Sequence, residues 1–193
     1  MNHMKLFATD IYQVLLSDFF KKNQKDLLNE ILVLMQDDHA GREWSKVHYP
    51  KGYTSYASAN QMHKMSPTFA DLEVAIRQHV FKYLKRIGLS VPKEQVTMST
   101  CWVNIMEEGC THPLHIHPQS IISGTFYLKM PNKSSAIRFE DPRYGLFMHR
   151  PPQTTHVSLT AKPGDLILFE SWLRHDVPLN LAKEPRVSIS FNY

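Results

Sequence analysis

Hydrophobic periodicity divides the chain into a helical first half and a strand-rich second half. From about residue 23 to residue 36, leucine, isoleucine and methionine recur at helical spacing, which predicts an amphipathic helix. A second helix is predicted over residues 67–87, because Ser66 can cap free N–H groups, Pro67 suits the first helical position and Gly88 favours a stop. The first half is therefore expected to be mainly helical.

The segments around these helices carry weaker patterns. Residues 6–16 are rich in β-branched, aromatic and leucine side chains, which indicates a strand before the first helix. Residues 37–64 contain glycine, proline and many polar and aromatic side chains. We predict that they form a loop that lines a pocket, with a short strand over residues 53–56.

Beyond Pro92 the pattern changes to short apolar runs separated by turn residues. Such runs predict a mainly β chain of the α+β class, an antiparallel sandwich or jelly roll with the helices packed on one side. We expect one domain over residues 1–193, with residues 1–92 as helical support and pocket wall and residues 93–193 as the jelly-roll core. The predicted strands cover residues 96–106, 121–130, 136–139, 156–160, 166–171 and 186–193.

Composition narrows the class of protein. The 193 residues are 42% hydrophobic and 21% charged, which suffices for a proper core. No apolar run approaches the roughly 18 to 20 residues that span a bilayer. Only two cysteines are present, so we expect a cytoplasmic protein without a disulfide framework or a membrane partner. The net charge of +4 permits a nucleic-acid partner, but no motif supports one, and a homodimer stays open.

Three of the eleven histidines fall within six residues. If the chain is extended there, His115 and His117 share a face and can meet one metal ion, while Ile116 turns into the core. Neutral imidazole is a common ligand of iron, zinc, copper and nickel. His112 is out of phase with that face, and we expect it to be a loop histidine near the pocket mouth. An isolated His-x-His pair is more often metal-free than not, so residues elsewhere must decide.

A second group of polar residues lies on the late strands. A buried strand that follows a Pro-Gly turn leads to His175, which can bring a third imidazole to the pair. Arg186 and Ser188 share one face of the last predicted strand. A guanidinium beside a hydroxyl on the inner face of a β-fold is costly to bury without an anion, and a carboxylate suits both donors.

These residues together resemble the 2-oxoglutarate/Fe(II)-dependent dioxygenase superfamily, whose pattern is His-x-Asp/Glu, a distal His and a later Arg-x-Ser. The spacing from Asn104 through Gly109 to His115 is similar to that of AlkB-like dealkylases and of prolyl hydroxylases, and Tyr127 matches a prolyl-hydroxylase tyrosine. Small bacterial and phage members share the His-x-His-Pro run and a terminal Arg-x-Ser-x-Ser-Phe-Asn. The resemblance covers residues from about 97 to 193 and implies a double-stranded β-helix.

The resemblance implies that His115, His117 and His175 are the catalytic residues and bind Fe(II), with O2 at an open position. His117 departs from the family pattern, which has Asp or Glu there, so the metal site would carry one negative charge fewer. We expect His117 to be a direct ligand. The alternatives are a position behind the ligands, a water in its place, or a carboxylate such as Asp176 arriving from elsewhere.

The resemblance also implies a cosubstrate, 2-oxoglutarate, that chelates the metal. Arg186, Ser188 and Tyr127 would hold its distal carboxylate, and Asn104 would touch it near the metal. The implied reaction is hydroxylation of an unactivated C–H bond in a small-molecule or peptide substrate, with release of succinate and CO2.

Two other functions stay open. A cupin-type metal dioxygenase with three histidines and no 2-oxoglutarate shares the Gly109-x5-His115-x-His117 opening, but it has no need of Arg186 and Ser188, and its glutamate is missing here. A catalytically inactive jelly-roll module would keep the fold and bind a peptide or sugar in the groove.

The sequence predicts the substrate pocket only in outline. Its walls are expected from the helical half and from residues 140–155, where Arg143, Tyr144, His149 and Arg150 offer basic and aromatic contacts.

Overall fold

The computed structural model describes residues 4, 6–151 and 155–193, and these residues form four helices and ten strands. The helices are α1 (Ser17–Asp37), α2 (His39–His48), α3 (Met62–Met65) and α4 (Pro67–Arg86). The first five strands are β1 (Tyr12–Leu15), β2 (Gly52–Thr54), β3 (Thr100–Met106), β4 (His112–His115) and β5 (Ile122–Lys129). The other five are β6 (Ile137–Glu140), β7 (His156–Leu159), β8 (Asp165–Glu170), β9 (His175–Val177) and β10 (Arg186–Asn192).

The strands form two antiparallel sheets that enclose an apolar layer. The larger sheet has the order β1-β8-β5-β10-β3-β2, and the smaller has the order β4-β9-β6-β7. Strand β8 shows why both faces of the larger sheet are buried. Leu166 and Leu168 pack into a core shared with α1 and α4, whereas Ile167 and Phe169 pack into a second cluster that includes residues of the smaller sheet. The predicted α+β jelly roll with helices on one side is therefore confirmed.

Strand β10 lies between β5 and β3 and carries two kinds of side chain. Val187, Ile189 and Phe191 belong to the core on the helical side. Arg186 and Ser188 point to the opposite face, into the space between the sheets. The predicted division of this strand into a polar inner face and an apolar outer face is confirmed.

Helix α4 begins and ends as its sequence predicts. The Ser66 hydroxyl accepts hydrogen bonds from the backbone N–H groups of Thr68 at 3.2 Å and Phe69 at 3.4 Å, and Pro67 is the first helical residue. Gly88 has a φ of +76°, a conformation that glycine adopts without a steric penalty, and the helix stops just before it.

Helix α1 begins at Ser17, six residues before its predicted start. Its first turn carries Phe19 and Phe20, whose rings meet Phe126 edge-on at centroid distances of 5.9 and 6.4 Å. These aromatic contacts with the larger sheet hold the first turn of the helix in place. The sequence did not predict this turn, because it precedes the apolar residues that recur at helical spacing. The predicted strand in residues 6–16 is present as β1.

The prediction of a loop over residues 37–64 was wrong in large part, because α2 and α3 lie within it. Asp38 explains the first helix. Its carboxylate accepts hydrogen bonds from the backbone N–H of Gly41 at 2.8 Å and from the hydroxyl of Tyr53 at 2.7 Å, so it starts a new helix directly after α1 and ties it to β2. The short strand was predicted one residue late.

Each of the six strands predicted in the second half overlaps a strand of the structure. Strands β4 and β9 were not predicted as strands, because runs of four and three residues are too short to show a periodicity. Among the described residues, no helix is both long and apolar enough to cross a membrane. The assignment of all 193 residues to one domain stays a prediction.

Candidate metal centre

Three histidines converge at the edge of the smaller sheet. Strands β4 and β9 pair so that His115 stands directly opposite His175, and His117 follows two residues after the end of β4. One ligand nitrogen from each ring lies within 4.8 Å of the other two, and the Nε2 atoms of His117 and His175 are 3.3 Å apart. Imidazole–metal bonds of about 2.1 Å place two ligand nitrogens at such a separation. The geometry is that of a three-histidine metal site.

Backbone carbonyls orient two of the three rings. The Nδ1 atom of His115 lies 2.8 Å from the Pro113 carbonyl oxygen, and that of His175 lies 2.9 Å from the Leu173 carbonyl oxygen. A carbonyl can only accept, so each Nδ1 carries the proton and each Nε2 presents its lone pair to the shared space. This is the tautomer that a metal ligand needs, held in place before any metal binds.

The environment keeps these imidazoles neutral. Burial, followed by the neighbouring histidines, lowers the pKa of His175 to about 2. Burial and His115 lower the pKa of His117 to about 4. Burial also lowers the pKa of His115, although the Pro113 carbonyl and the Asp176 carboxylate act in the opposite direction. Protons therefore do not compete for the lone pairs at neutral pH.

His117 reaches the site in a way that simple strand alternation does not describe. Strand β4 ends at His115, and the His117 backbone N–H donates a hydrogen bond to the Ser171 carbonyl at 3.0 Å, which fixes the turn. The His117 ring then stacks on the His175 ring with a centroid distance of 5.1 Å. Ile116 is 44% exposed, so the expectation that it turns into the core was wrong.

His112 is not a loop histidine, as was expected, but a residue of β4 that faces the same space. Between His112 and His115 the register with β9 shifts by one residue, and this irregularity brings both rings to one face despite their odd spacing. The two rings stack at a centroid distance of 4.3 Å. Burial lowers the pKa of His112 to about 3, with further contributions from His115 and His117.

Asp176 does not supply a carboxylate to the histidines. Its side chain, on the opposite face of β9 from His175, accepts hydrogen bonds from Arg138, one of them from Nε at 2.9 Å. Among the described residues, the only group of histidine, cysteine or acidic side chains close enough to share a metal ion is the set of three histidines.

The histidines open onto a small cavity of about 30 Å³ between the sheets, which we call the inner cavity. Its walls combine imidazole, aromatic, amide and hydroxyl side chains with a single charged group, Arg186. The lining residues are Tyr49, Trp102, Asn104, Met106, His112, His115, His117, Gly124, Thr125, Tyr127, Ile137, His175, Val177, Arg186, Ser188 and Ser190.

Arg186 is the unusual feature of the inner cavity, because it is 2% exposed and has no ion-pair partner among the described residues. Its Nη1 donates to the Ser188 hydroxyl at 3.1 Å and lies 3.3 Å from the Met106 sulfur, while its Nε has no hydrogen-bond partner in the described part of the chain. A buried, unpaired cation is expensive, so this wall is built to receive an anion.

Two neighbouring polar groups are also unsatisfied. The guanidinium carbon of Arg186 lies 5.1 Å from the centroid of the Tyr127 ring, and the buried Tyr127 hydroxyl has no partner among the described residues. Burial raises the pKa of this phenol, so it remains a donor. Asn104 donates to Ser190 at 3.1 Å, but its buried Oδ1 is unpaired. The structure thus brings all seven predicted site residues to one cavity.

Sequence reasoning did not single out Tyr49, Trp102 or Met106 as cavity residues, although Tyr49 falls in the segment that was expected to line a pocket. Strand alternation could have identified two of them, since Trp102 and Met106 share a face of β3 with Asn104. Tyr49 comes from the end of α2, whose position depends on tertiary packing.

The described residues of the segment 140–155 do not wall this cavity, contrary to the expectation. Glu140 and Arg143 lie in a separate groove with the N-terminal segment, and Arg143 pairs with Asp141 at 2.7 Å. The described residues of this loop, which exclude residues 152–154, line neither the inner cavity nor a recess that adjoins it and is lined in part by Trp44, Tyr56 and Trp102.

Comparison with known proteins adds a family to this geometry. A family model described as "Putative 2OG-Fe(II) oxygenase" (2OG, 2-oxoglutarate) matches residues 100–192, which include every residue of the inner cavity except Tyr49. No curated protein sequence matches the chain.

Solved structures with the same fold cover nearly the whole chain. A prolyl-4-hydroxylase from Pseudomonas putida is 12% identical, with 95% of this chain and 92% of that one covered and a TM-score of 0.56. HygX from Streptomyces hygroscopicus, with nickel and 2-oxoglutarate bound, is 11% identical over 95% of this chain and 82% of that one, with a TM-score of 0.61.

The carbocyclase SnoK of nogalamycin biosynthesis, described as non-heme and alpha ketoglutarate dependent, is 10% identical over 95% of this chain and 78% of that one, with a TM-score of 0.68. At such identities these likenesses establish the jelly-roll fold and not a shared reaction. The match to the 2OG-Fe(II) oxygenase model thus covers residues 100–192, slightly less than half of the chain, and the solved structures share the fold of nearly the whole chain.

Proposed function

We propose that the protein is an Fe(II)- and 2-oxoglutarate-dependent oxygenase that hydroxylates an unactivated C–H bond of its substrate and releases succinate and CO2. The observation that carries this proposal is the unpaired, buried guanidinium of Arg186 in the same cavity as three neutral, converging imidazoles. A metal site alone does not require that cation, and an anion-binding site alone does not require those histidines.

The histidines fit a divalent metal such as Fe(II). Three side chains leave several coordination positions open, as metal-dependent oxygen chemistry requires, and all three rings are neutral at physiological pH. We propose His117 as a direct ligand, supported by the 3.3 Å separation of its Nε2 from that of His175. Because the lone pairs of two nitrogens at this distance repel each other, a proton or a metal cation must lie between them.

The polar end of the cavity fits the distal carboxylate of 2-oxoglutarate. A carboxylate there would accept from the free Nε of Arg186, from the unpartnered Tyr127 hydroxyl and from the Ser188 hydroxyl, which satisfies two buried orphan donors at once. The other end of the cosubstrate, a 2-oxo acid, would then reach the histidines. Asn104, with its unpaired buried Oδ1, lies on the wall beside it.

Iron, 2-oxoglutarate and O2 together supply the oxidising power. One oxygen atom enters the succinate carboxylate as CO2 leaves, and the other enters the C–H bond as a hydroxyl, so a two-electron oxidation of each partner balances the four-electron reduction of O2. The protein's own part would be to hold the cosubstrate with Arg186, Ser188 and Tyr127 and to hold the metal with the three histidines.

The structural relatives support an oxygenase, but they do not indicate which oxidative reaction it catalyses. Two of those compared above are described as a prolyl-4-hydroxylase and a carbocyclase, so one fold serves different reactions. We propose hydroxylation because nothing in the inner cavity, apart from the metal site, offers a group for a second chemical step. A small-molecule or peptide substrate and a cytoplasmic location belong to the same proposal, the latter supported by two free, buried cysteines.

The two alternative functions have less support. A cupin-type enzyme that uses three histidines without 2-oxoglutarate would leave Arg186 and Tyr127 buried and unsatisfied. An inactive binding module would not require the carbonyl contacts that hold His115 and His175 in their ligand tautomers.

The test is cosubstrate turnover. The purified protein is loaded with Fe(II) and 2-oxoglutarate without oxygen, the metal-to-cosubstrate charge-transfer band is recorded, and succinate is measured after oxygen is admitted. We expect a visible band and slow succinate formation without substrate, and we expect both to be lost in His175→Ala. His79→Gln, on α4 and outside both the cavity and the recess, is the matched control. Absence of both signals in the metal-loaded wild type would refute the proposal.

A further inference from the structure

A second chamber adjoins the metal centre on its outer side, and we call it the outer recess. It shares five residues with the inner cavity, among them His115, His117 and Trp102, but it does not include Arg186. A molecule in this recess would lie against the histidines while the cosubstrate occupies the inner cavity. The lining residues are Trp44, His48, Tyr49, Thr54, Tyr56, Trp102, His112, Pro113, His115, Ile116, His117, Pro118 and Asn192.

Among the described residues, the lining of the outer recess includes no aspartate, glutamate, lysine or arginine. That is notable in a chain of which 21% is charged, with 22 basic and 18 acidic residues. A charged group entering the recess would lose hydration without gaining a partner.

Two polar side chains of the recess already have hydrogen-bond partners. The Asn192 side chain donates from Nδ2 to Thr100 at 2.9 Å and accepts at Oδ1 from Ser123 at 2.8 Å. The Thr54 hydroxyl accepts from the backbone N–H of Tyr56 at 3.3 Å.

Aromatic rings dominate the remaining surface. The Tyr56 ring meets the Trp102 ring edge-on at a centroid distance of 5.1 Å, and Tyr56 is nevertheless 48% exposed. The ring of Trp44 packs against the ring of His48, with a centroid distance of 4.5 Å. Rings arranged in this way bind the faces and edges of other rings. Ile116, which is 44% exposed, adds aliphatic surface.

We propose that the outer recess is the primary-substrate site and that the substrate presents an uncharged ring, aromatic or alicyclic, to the histidines. This inference rests on the proposed oxygenase function for the identity of the reaction, but the ligand class follows from the recess itself. The reacting C–H bond would belong to the ring or to a carbon attached to it.

The experiment compares three probes that share one ring system and differ in charge. Binding of 2-naphthalenemethanol, 2-naphthoate and 2-naphthylmethylammonium to the protein loaded with Fe(II) and 2-oxoglutarate is measured without oxygen by ligand-observed NMR titration. We expect the neutral alcohol to bind at least tenfold more tightly than either ion. Equal or tighter binding of an ion, or no binding of the alcohol, would overturn the inference.

Variants locate the probe. Tyr56→Ser should weaken binding of the alcohol about three- to tenfold, the range measured for aromatic pairs, and Tyr56→Phe should retain it. Tyr144→Ser is the matched control, since Tyr144 is 57% exposed and lies outside the recess. Unchanged affinity in Tyr56→Ser would place the probe elsewhere and refute the assignment.

A 2-oxoglutarate titration in the same samples separates the two proposals. If 2-oxoglutarate binds and the ion is preferred, the oxygenase function stands and the substrate class fails. If 2-oxoglutarate does not bind but the alcohol does, at a site sensitive to Tyr56, the recess keeps its ligand class and the oxygenase function fails.

Discussion

Replacement of Arg186 by methionine should change ligand binding and protein stability in opposite directions. The guanidinium is 2% exposed and is paired only with a neutral hydroxyl and a thioether, so the free protein carries a buried, uncompensated charge. Methionine has a similar length and no charge. Replacing buried ionic groups with apolar ones of similar volume is neutral or stabilises by about 1 to 4 kcal/mol. We therefore expect the metal-free Arg186→Met variant to unfold at equal or higher urea concentration than the wild type.

Binding of 2-oxoglutarate should suffer in the same variant. Removing one partner of a buried, hydrogen-bonded charge pair costs about 3 to 5 kcal/mol, which corresponds to a loss of affinity between about 150- and 5,000-fold. Isothermal titration of the metal-loaded, oxygen-free protein measures this loss, and a parallel metal titration should show unchanged metal affinity. The stabilisation that saturating 2-oxoglutarate gives the wild type in thermal unfolding should also disappear.

Arg77→Met is the matched control for both measurements. Arg77 has a buried carboxylate partner, Glu73, which it contacts from Nε at 2.7 Å, and it lies outside the inner cavity. This variant should lose stability and keep its affinity for 2-oxoglutarate. If Arg186→Met instead lost stability and bound 2-oxoglutarate within threefold of the wild type, the guanidinium would be a structural group and the anion site would be refuted.

Four further changes test other parts of the structure. His117→Asp should retain the metal and succinate formation, because a carboxylate is an equally good iron ligand; loss of metal in a direct titration would show that imidazole is required. Ser66→Ala should lower the free energy of unfolding by about 1 kcal/mol in urea titrations, since a helix cap is lost, and an unchanged midpoint would contradict that role. Gly124→Ala should cost about 1 to 3 kcal/mol, because the added Cβ would lie 2.5 Å from a ring carbon of Phe191; wild-type stability would mean that the strand yields without cost. Burial lowers the pKa of His79 in the folded protein. Its contribution to the free energy of unfolding is therefore complete above the unfolded-state pKa of about 6.5 and is lost as the pH falls through the folded-state pKa. His79→Gln should make the free energy of unfolding fall less steeply on the acid side.

The polar faces of the strands could be predicted because side-chain period does not depend on tertiary context. Arg186 and Ser188 were placed on one face by that period alone, and the structure agrees. The same logic failed for His112, since a single irregularity in β4 shifts the phase by one residue. No local signal in the sequence marks that irregularity.

The sequence also could not predict where some segments lie relative to the pocket in the folded protein. Residues 37–64 were expected to line a pocket, and Trp44, Tyr49 and Tyr56 line the outer recess. Helix α2, which holds Trp44, was missed because it is short and starts from a carboxylate cap directly after another helix. Residues 140–155 were assigned to the pocket from composition. Which end of a sheet a loop occupies depends on the strand order, and composition carries no information about it.

The pairing of β4 with β9 has a consequence for the behaviour of the chain as a polymer. His117 and His175 are 58 residues apart in sequence, and β4 is an edge strand held by a short, irregular ladder. A metal bound by both histidines would act as a reversible cross-link, closing a loop whose covalent equivalent is worth about 4 kcal/mol of chain entropy. Removal of the metal by a chelator would then free strand β4 first. Amide hydrogen exchange in residues 112–118 would accelerate before that of the central strands.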